Sequence, residues 1–140
     1  ALKTSPNDPV AHNSLWETYY KMGMYEESLQ SAKAFFTGLG MNEIAEAMGR
    51  GHEEDGYKGA MYSAAEIMES MAKQTYFSPT FVAMLYALAG DRDKTIEWLE
   101  MGYEGRDPNL PYVGGFVFFD LLAEDPRYQD LLRRMNLPNY

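Results

Sequence analysis

Cysteine is absent from the 140 residues. That excludes a disulfide framework, a thiolate metal site and a cysteine nucleophile. Histidine is scarce: His12 and His52 stand alone, on different predicted helices or turns, and the second histidine at helical spacing that a zinc-protease helix needs is missing. Basic residues are few, 12 against 21 acidic, for a net charge of −9. The tightest basic pair is Arg133-Arg134. Phosphate contacts dominate nucleic-acid affinity, so this balance argues against a nucleic-acid partner, and against an anionic membrane surface for the same reason. No apolar run approaches the roughly 20 residues that a spanning helix requires. Sustained alternation is also missing, apart from a weak stretch from Tyr112 to Phe119.

Catalytic signatures are equally sparse. Gly38-Leu39-Gly40 and Gly49-Arg50-Gly51 lack the preceding strand and third glycine of a dinucleotide fingerprint. The Gly-Lys-Ser/Thr of a phosphate loop is not present, and no serine stands in a nucleophile elbow. His52-Glu53-Glu54-Asp55 is densely acidic but departs from a calcium loop and reads as a solvated turn between helices. Pairs such as Glu26/Glu27 and Asp91/Asp93 are ordinary helix-surface acids without a base–nucleophile constellation. The expectation is a chain with no catalytic residue, no cofactor and no metal. With no signal peptide visible, a cytoplasmic location is expected. Ala1 to Pro6 reads like the tail of an earlier helix, so a longer parent protein is expected as well.

What the chain does contain is regular helical punctuation. Asp8-Pro9, Ser78-Pro79 and Asp125-Pro126 each set a capping oxygen before a proline. The oxygen accepts from first-turn amides, and proline loses no bond at the first helical position. Gly23, Gly40 and Gly90 suit the left-handed residue that ends a helix. Apolar residues between these marks follow a three-to-four step, as in Val10, Leu15, Tyr19, Met22 and in Val82, Leu85, Tyr86, Ala89. Helices are predicted at about 9–22, 25–38, 42–50, 57–73, 79–89, 92–104, 116–123 and 126–135. Short loops make successive helices antiparallel. The ten methionines fall mostly on apolar faces and read as core filling.

A repeat underlies this pattern. Aligning Tyr25, Tyr57 and Arg92 gives steps of 32 and 35 residues, close to the ~34-residue tetratricopeptide period. Ser28, Ala60 and Thr95, three residues further on, are small. A large side chain there would hold the two helices of a pair apart.

On these residues the chain resembles the tetratricopeptide repeat family. Leu15, Tyr19, Gly23, Tyr25, Ser28, Ala32 and Phe35 fall at signature positions of the first unit. Trp16 stands where a small residue is usual, and Ser28 and Thr95 replace alanine. The middle unit keeps Ile44, Met48, Tyr57, Ala60 and Ala64; the third keeps Ala83, Tyr86, Gly90 and Leu99. The run from Tyr76-Phe77-Ser78-Pro79 through Glu97-Trp98-Leu99-Glu100 and Arg106-Asp107-Pro108 to Asp125–Met135 is similar to the C-terminal repeats of bacterial winged-helix regulators, serine/threonine kinases and nucleotide cyclases. The resemblance implies an all-α chain: a right-handed α-α superhelix of about three helix pairs (8–40, 41–75, 76–108) forming one domain, closed by a cap at 109–140. Leu131, Leu132 and Met135, with Phe118, Phe119 and Leu122, suit that lid.

The resemblance further implies that the first helix of each pair lines a concave face. Asn13, Glu17 and Tyr20 would stand there in the first unit, Asn42, Glu46 and Gly49 in the second, and Phe77, Phe81 and Met84 in the third. The expected function is a protein- or peptide-binding module, its ligand basic at one end and apolar at an anchor. Glu17, Glu46 and Phe81 stand where carboxylate-clamping relatives carry other residues, so no such clamp is expected. Two other readings are a C-terminal regulatory region acting on an upstream domain of the same chain, and a small-ligand site between Tyr62, Tyr86 and Trp98.

Overall fold

The computed structural model describes residues 9–108, 110 and 117–135, and these residues are helical with turns and no strand. In chain order they form α1 (Pro9–Lys21), α2 (Tyr25–Gly38), α3 (Asn42–Met71), α4 (Pro79–Leu88), α5 (Arg92–Glu104), a 3-10 turn (Val117–Leu122) and α6 (Pro126–Arg134). The all-α expectation holds. Two compact units divide the chain, Ala1–Ile67 and Met68–Tyr140.

Helix ends follow the capping logic closely. Gly23, Gly40 and Gly90 adopt φ of 74°, 78° and 84°. At each, the residue after the glycine reaches back five positions: Met24 N to Tyr19 O at 2.9 Å, Met41 N to Phe36 O at 2.8 Å and Asp91 N to Tyr86 O at 3.0 Å. These bonds satisfy carbonyls that the ended helix leaves without an amide. The end of α5 uses the same hydrogen bonds (Asp107 N to Gly102 O, 2.9 Å), but there Arg106 takes the left-handed conformation, φ 55°. Ser78, Asp91 and Asp125 cap α4, α5 and α6 by accepting from Phe81, Lys94 and Arg127 amides. α1 begins at Pro9 as the Asp8-Pro9 pair predicts, though Asp8 lies outside the described residues.

The third and fourth predicted helices differ from expectation in one respect. They run together as α3, broken by Asp55 (φ −148°, ψ 27°) and Gly56 (φ 66°, ψ −151°). The first limb therefore continues past residue 50 to the break, because nothing before Asp55-Gly56 stops it. The limbs then fold back with their backbones in contact at Gly51 and Gly59, where a Cβ on either glycine would collide with the other's carbonyl oxygen. Only glycine permits that approach.

In the first unit, α1 packs on α2. Trp16, 1% exposed, packs against both Phe35 and Phe36, with ring centroids 6.0 Å away in each case, and those two rings meet edge-on at 5.1 Å. Leu29, Ala32, Ile44 and Met48 are also buried. In the second unit, α4 packs on α5 and is buried from Val82 to Leu88. The 3-10 turn lies against α4, and α6 against α5. Phe119, Leu122, Leu131 and Leu132 are buried. Met135 is only half-covered, and the Phe118 side chain lies outside the described residues. The predicted helix at 116–123 is present as the 3-10 turn, while most of the alternating stretch from Tyr112 lies outside the described residues.

Gly51→Ala should lower the urea midpoint by the equivalent of about 1–3 kcal/mol, since the Gly59 backbone has no room to yield. Gly49→Ala is the control. A Cβ there meets only the Lys33 ammonium end, at 3.5 Å, so the gain in helix propensity should leave stability unchanged or higher. Equal losses in both variants would refute the close-approach account.

Candidate functional site

In the first unit the site grows from Trp16. A buried indole needs an acceptor for its N–H, and Trp16 Nε1 donates to Tyr57 Oη at 3.0 Å. Ser28 Oγ lies 2.9 Å from the same hydroxyl and donates to the Trp16 carbonyl at 3.0 Å. Trp16 and Ser28, two of the residues at which the sequence departs from the family it resembles, are thus parts of one hydrogen-bonded cluster. Burial pushes the Tyr57 hydroxyl up to about 12, against the opposing effect of its bonds to Ser28 and Trp16. The Tyr57 ring then carries Tyr20, stacked at 5.9 Å, and Tyr25, tilted at 5.2 Å; Tyr20 and Tyr25 meet edge-on at 5.9 Å. Tyr25 remains 52% exposed, and Met22 in the preceding turn 64%.

Of the residues expected on a first-helix face, Glu17 pairs with Lys21 at 3.1 Å and stays partly exposed. Tyr20 joins the tyrosine group. Asn42 opens α3 and is exposed, as is Glu46 one turn on, while Gly49 is half-covered beside Lys33. Asn13 lies on α1, but its side chain is outside the described residues. His52 is half-buried, and Glu53, Glu54 and Asp55 are exposed on the approach to the kink. Among the described residues no group of three or more His, Asp or Glu side chains is placed to hold a metal ion.

In the second unit Phe77 and Phe81 are half-buried at the start of α4. Met84, at 8% exposure, belongs to the packed interior and offers no surface to a partner. Behind them lies a buried polar joint. Asp107, 4% exposed, accepts from Ser78 Oγ at 2.6 Å and from the Thr80 amide at 3.0 Å. The Asp107-Pro108 pair thus ties the loop after α5 to the first turn of α4.

A second hub in this unit is Glu69, whose Oε1 accepts from Tyr86 Oη at 3.1 Å, Trp98 Nε1 at 3.1 Å and Lys94 Nζ at 3.2 Å. Lys94 also lies 5.8 Å from the Tyr86 ring centre. Two residues of the suggested small-ligand site, Tyr86 and Trp98, therefore direct their polar atoms at a carboxylate of the protein itself. Tyr62, in the first unit, is partly exposed. On the surface of the second unit a depression of about 650 Å³ is lined by Arg92, Asp120, Glu124, Asp125 and neighbouring apolar atoms.

Sequence reasoning missed three of these features. Glu69 was detectable as an acid in the apolar run Ile67-Met68-Glu69, and Asp107 as a capping-type residue before proline. The Trp16–Tyr57 bond left no local signal, because its partners lie 41 residues apart. Comparison of the chain with protein-family models, curated proteins and solved structures finds no match.

Ser28→Ala should destabilise the chain by about 1 kcal/mol, because the Tyr57 hydroxyl and Trp16 carbonyl lose a buried partner. A neutral or stabilising result in urea denaturation would sink the cluster's structural role. Acid should act through Glu69. Burial raises its pKa, but the bonds from Trp98, Lys94 and Tyr86 outweigh this and hold it below the ordinary 4.5. A carboxylate with a depressed folded pKa contributes stability above its unfolded pKa, and that contribution fades as pH falls through the folded value. The thermal midpoint should therefore decline from about pH 4.5 downward, and Glu69→Gln should flatten this decline relative to the parent.

Proposed function

We propose that this chain is a non-catalytic binding module built from tetratricopeptide-like helix pairs, engaging a protein or peptide through exposed first-helix side chains. The observation that carries the reading is the register of the second helices. α2 starts at Tyr25, the second limb of α3 starts directly after Gly56, and α5 starts at Arg92, all three at the aligned repeat positions. Three residues into each, Ser28, Ala60 and Thr95 are 0% exposed. Repeated pairs of this kind fill their interiors with side chains and leave recognition to the surface. Trp16, Tyr86 and Trp98 have their polar atoms bonded within the protein, which supports packing over small-molecule chemistry as their role. Glu17, Asn42 and Glu46 in the first unit, and Phe77 and Phe81 in the second, keep accessible surface.

Selection of peptides from a random display library with the full chain tests this. Enriched peptides should lose about tenfold in affinity on Phe81→Ala, the cost of a buried aromatic anchor, or severalfold on Glu17→Lys, through charge reversal. If neither change alters the affinity of any enriched peptide, the first-helix reading is wrong.

A further inference from the structure

We infer that the tyrosine patch of the first unit is an interaction surface for an arginine-bearing segment of a partner protein. The inference rests on the binding-module reading but places the contact at the Tyr20–Tyr25–Tyr57 group. That group includes the first side chains of two second helices, Tyr25 and Tyr57, and shares only Tyr20 with the expected first-helix face.

Three observations lead there. The first is aromatic exposure: Tyr25 is 52% exposed at the start of α2, next to a turn that also exposes Met22. Its ring is held in place by contact with Tyr20 and Tyr57. The Tyr57 ring is in turn fixed through its hydroxyl by Trp16 and Ser28. An exposed ring that is already immobilised loses little entropy when a partner lands on it.

The second observation is charge. Glu26 and Glu27 follow Tyr25, and Glu53, Glu54 and Asp55 precede Tyr57. The 5.2 Å contact between the two rings brings both acidic runs to the same end of the unit. Glu26, Glu53, Glu54 and Asp55 are exposed. Residues 1–67 as a whole carry ten carboxylates against five basic side chains. Exposed carboxylates at the same end of the unit as an aromatic face complement a cation.

The third is that the protein joins the same groups elsewhere within itself. In the second unit the Arg134 guanidinium lies 5.0 Å from the Tyr103 ring centre while pairing with Glu100 and, at 2.9 Å, with Asp130. Tyrosine face and carboxylates together hold an arginine there. The first unit presents the same combination outward, with Lys21 engaged by Glu17 and Lys58 its other basic neighbour in sequence. Arginine fits better than lysine because its planar guanidinium stacks on a ring and forks to a carboxylate at once.

The probe is an amidated peptide carrying two arginines and one leucine among glycines and serines, titrated into the full chain by isothermal calorimetry or by NMR shift mapping. Versions with lysine or citrulline replace the arginines. The arginine peptide should bind, the lysine peptide about threefold more weakly, and the citrulline peptide not measurably; an exposed cation–π contact supports a factor of about two to five. Tyr25→Leu keeps apolar bulk and should lose about threefold or more, whereas Tyr25→Phe should retain affinity. Glu53→Gln with Glu54→Gln should weaken binding and reduce its salt dependence. Unchanged thermal midpoints establish that these surface variants are folded. Equal affinity for arginine and lysine together with indifference to Tyr25→Leu would mean acidity alone attracts the peptide, and the patch would be refuted. No binding of the arginine peptide refutes it too. Either failure is separable from failure of the first-helix reading, which is judged on library-selected peptides and on Phe81 and Glu17.

Discussion

Two helices can lie side by side only as closely as their bulkiest facing residues allow, and in this protein that limit is met by small residues at fixed places. Ser28, Ala60 and Thr95 are wholly buried in the first turn of their helices. Between the limbs of α3 the limit reaches its extreme, with glycine against glycine at positions 51 and 59. Where a small residue carries a hydroxyl, the local surroundings decide its use. Thr95 turns its hydroxyl back to the Asp91 carbonyl, 2.6 Å away and four residues earlier, a bond confined to its own helix end. Ser28 instead reaches across to the preceding helix and to Tyr57.

The second requirement is that large rings with polar atoms find partners. Trp16, Tyr57, Tyr86 and Trp98 would each cost stability if buried with an unmatched N–H or O–H. The protein answers with shared acceptors. One tyrosine hydroxyl takes the Trp16 indole, and one carboxylate oxygen on Glu69 takes three donors. Sharing fixes geometry as well as satisfying atoms. Rings bonded this way have a single orientation, and this is why the tyrosine group at the end of the first unit presents a defined face.

Much of the helical framework was legible from sequence, because its signals are local. Ser78-Pro79 and Asp125-Pro126 mark helix starts through side chains that reach amides two or three residues on, and Gly23, Gly40 and Gly90 mark ends through backbone freedom at one position. The break between the helices predicted at 42–50 and 57–73 falls late in that interval because Asp55-Gly56 leaves almost no loop, while the more conspicuous Gly49-Arg50-Gly51 is helical. Contacts between distant residues were not legible. Nothing near Tyr57 announces Trp16, and Met84 looked like an accessible residue until its neighbours on α4 proved buried on every side. A helical period identifies an apolar stripe; it does not reveal that a helix such as α4 is enclosed all round.

The break in α3 sets the phase between its limbs. Only Asp55 and Gly56 leave helical geometry there, so no slack separates the last turn of one limb from the first turn of the next. Inserting a single residue would rotate the second limb by about 100° about its axis. Gly59 would then face away from Gly51, and Tyr57 away from Trp16. The length of this junction therefore decides which side chains meet across it, and an insertion here would erase the first unit's aromatic face without changing one of its tyrosines.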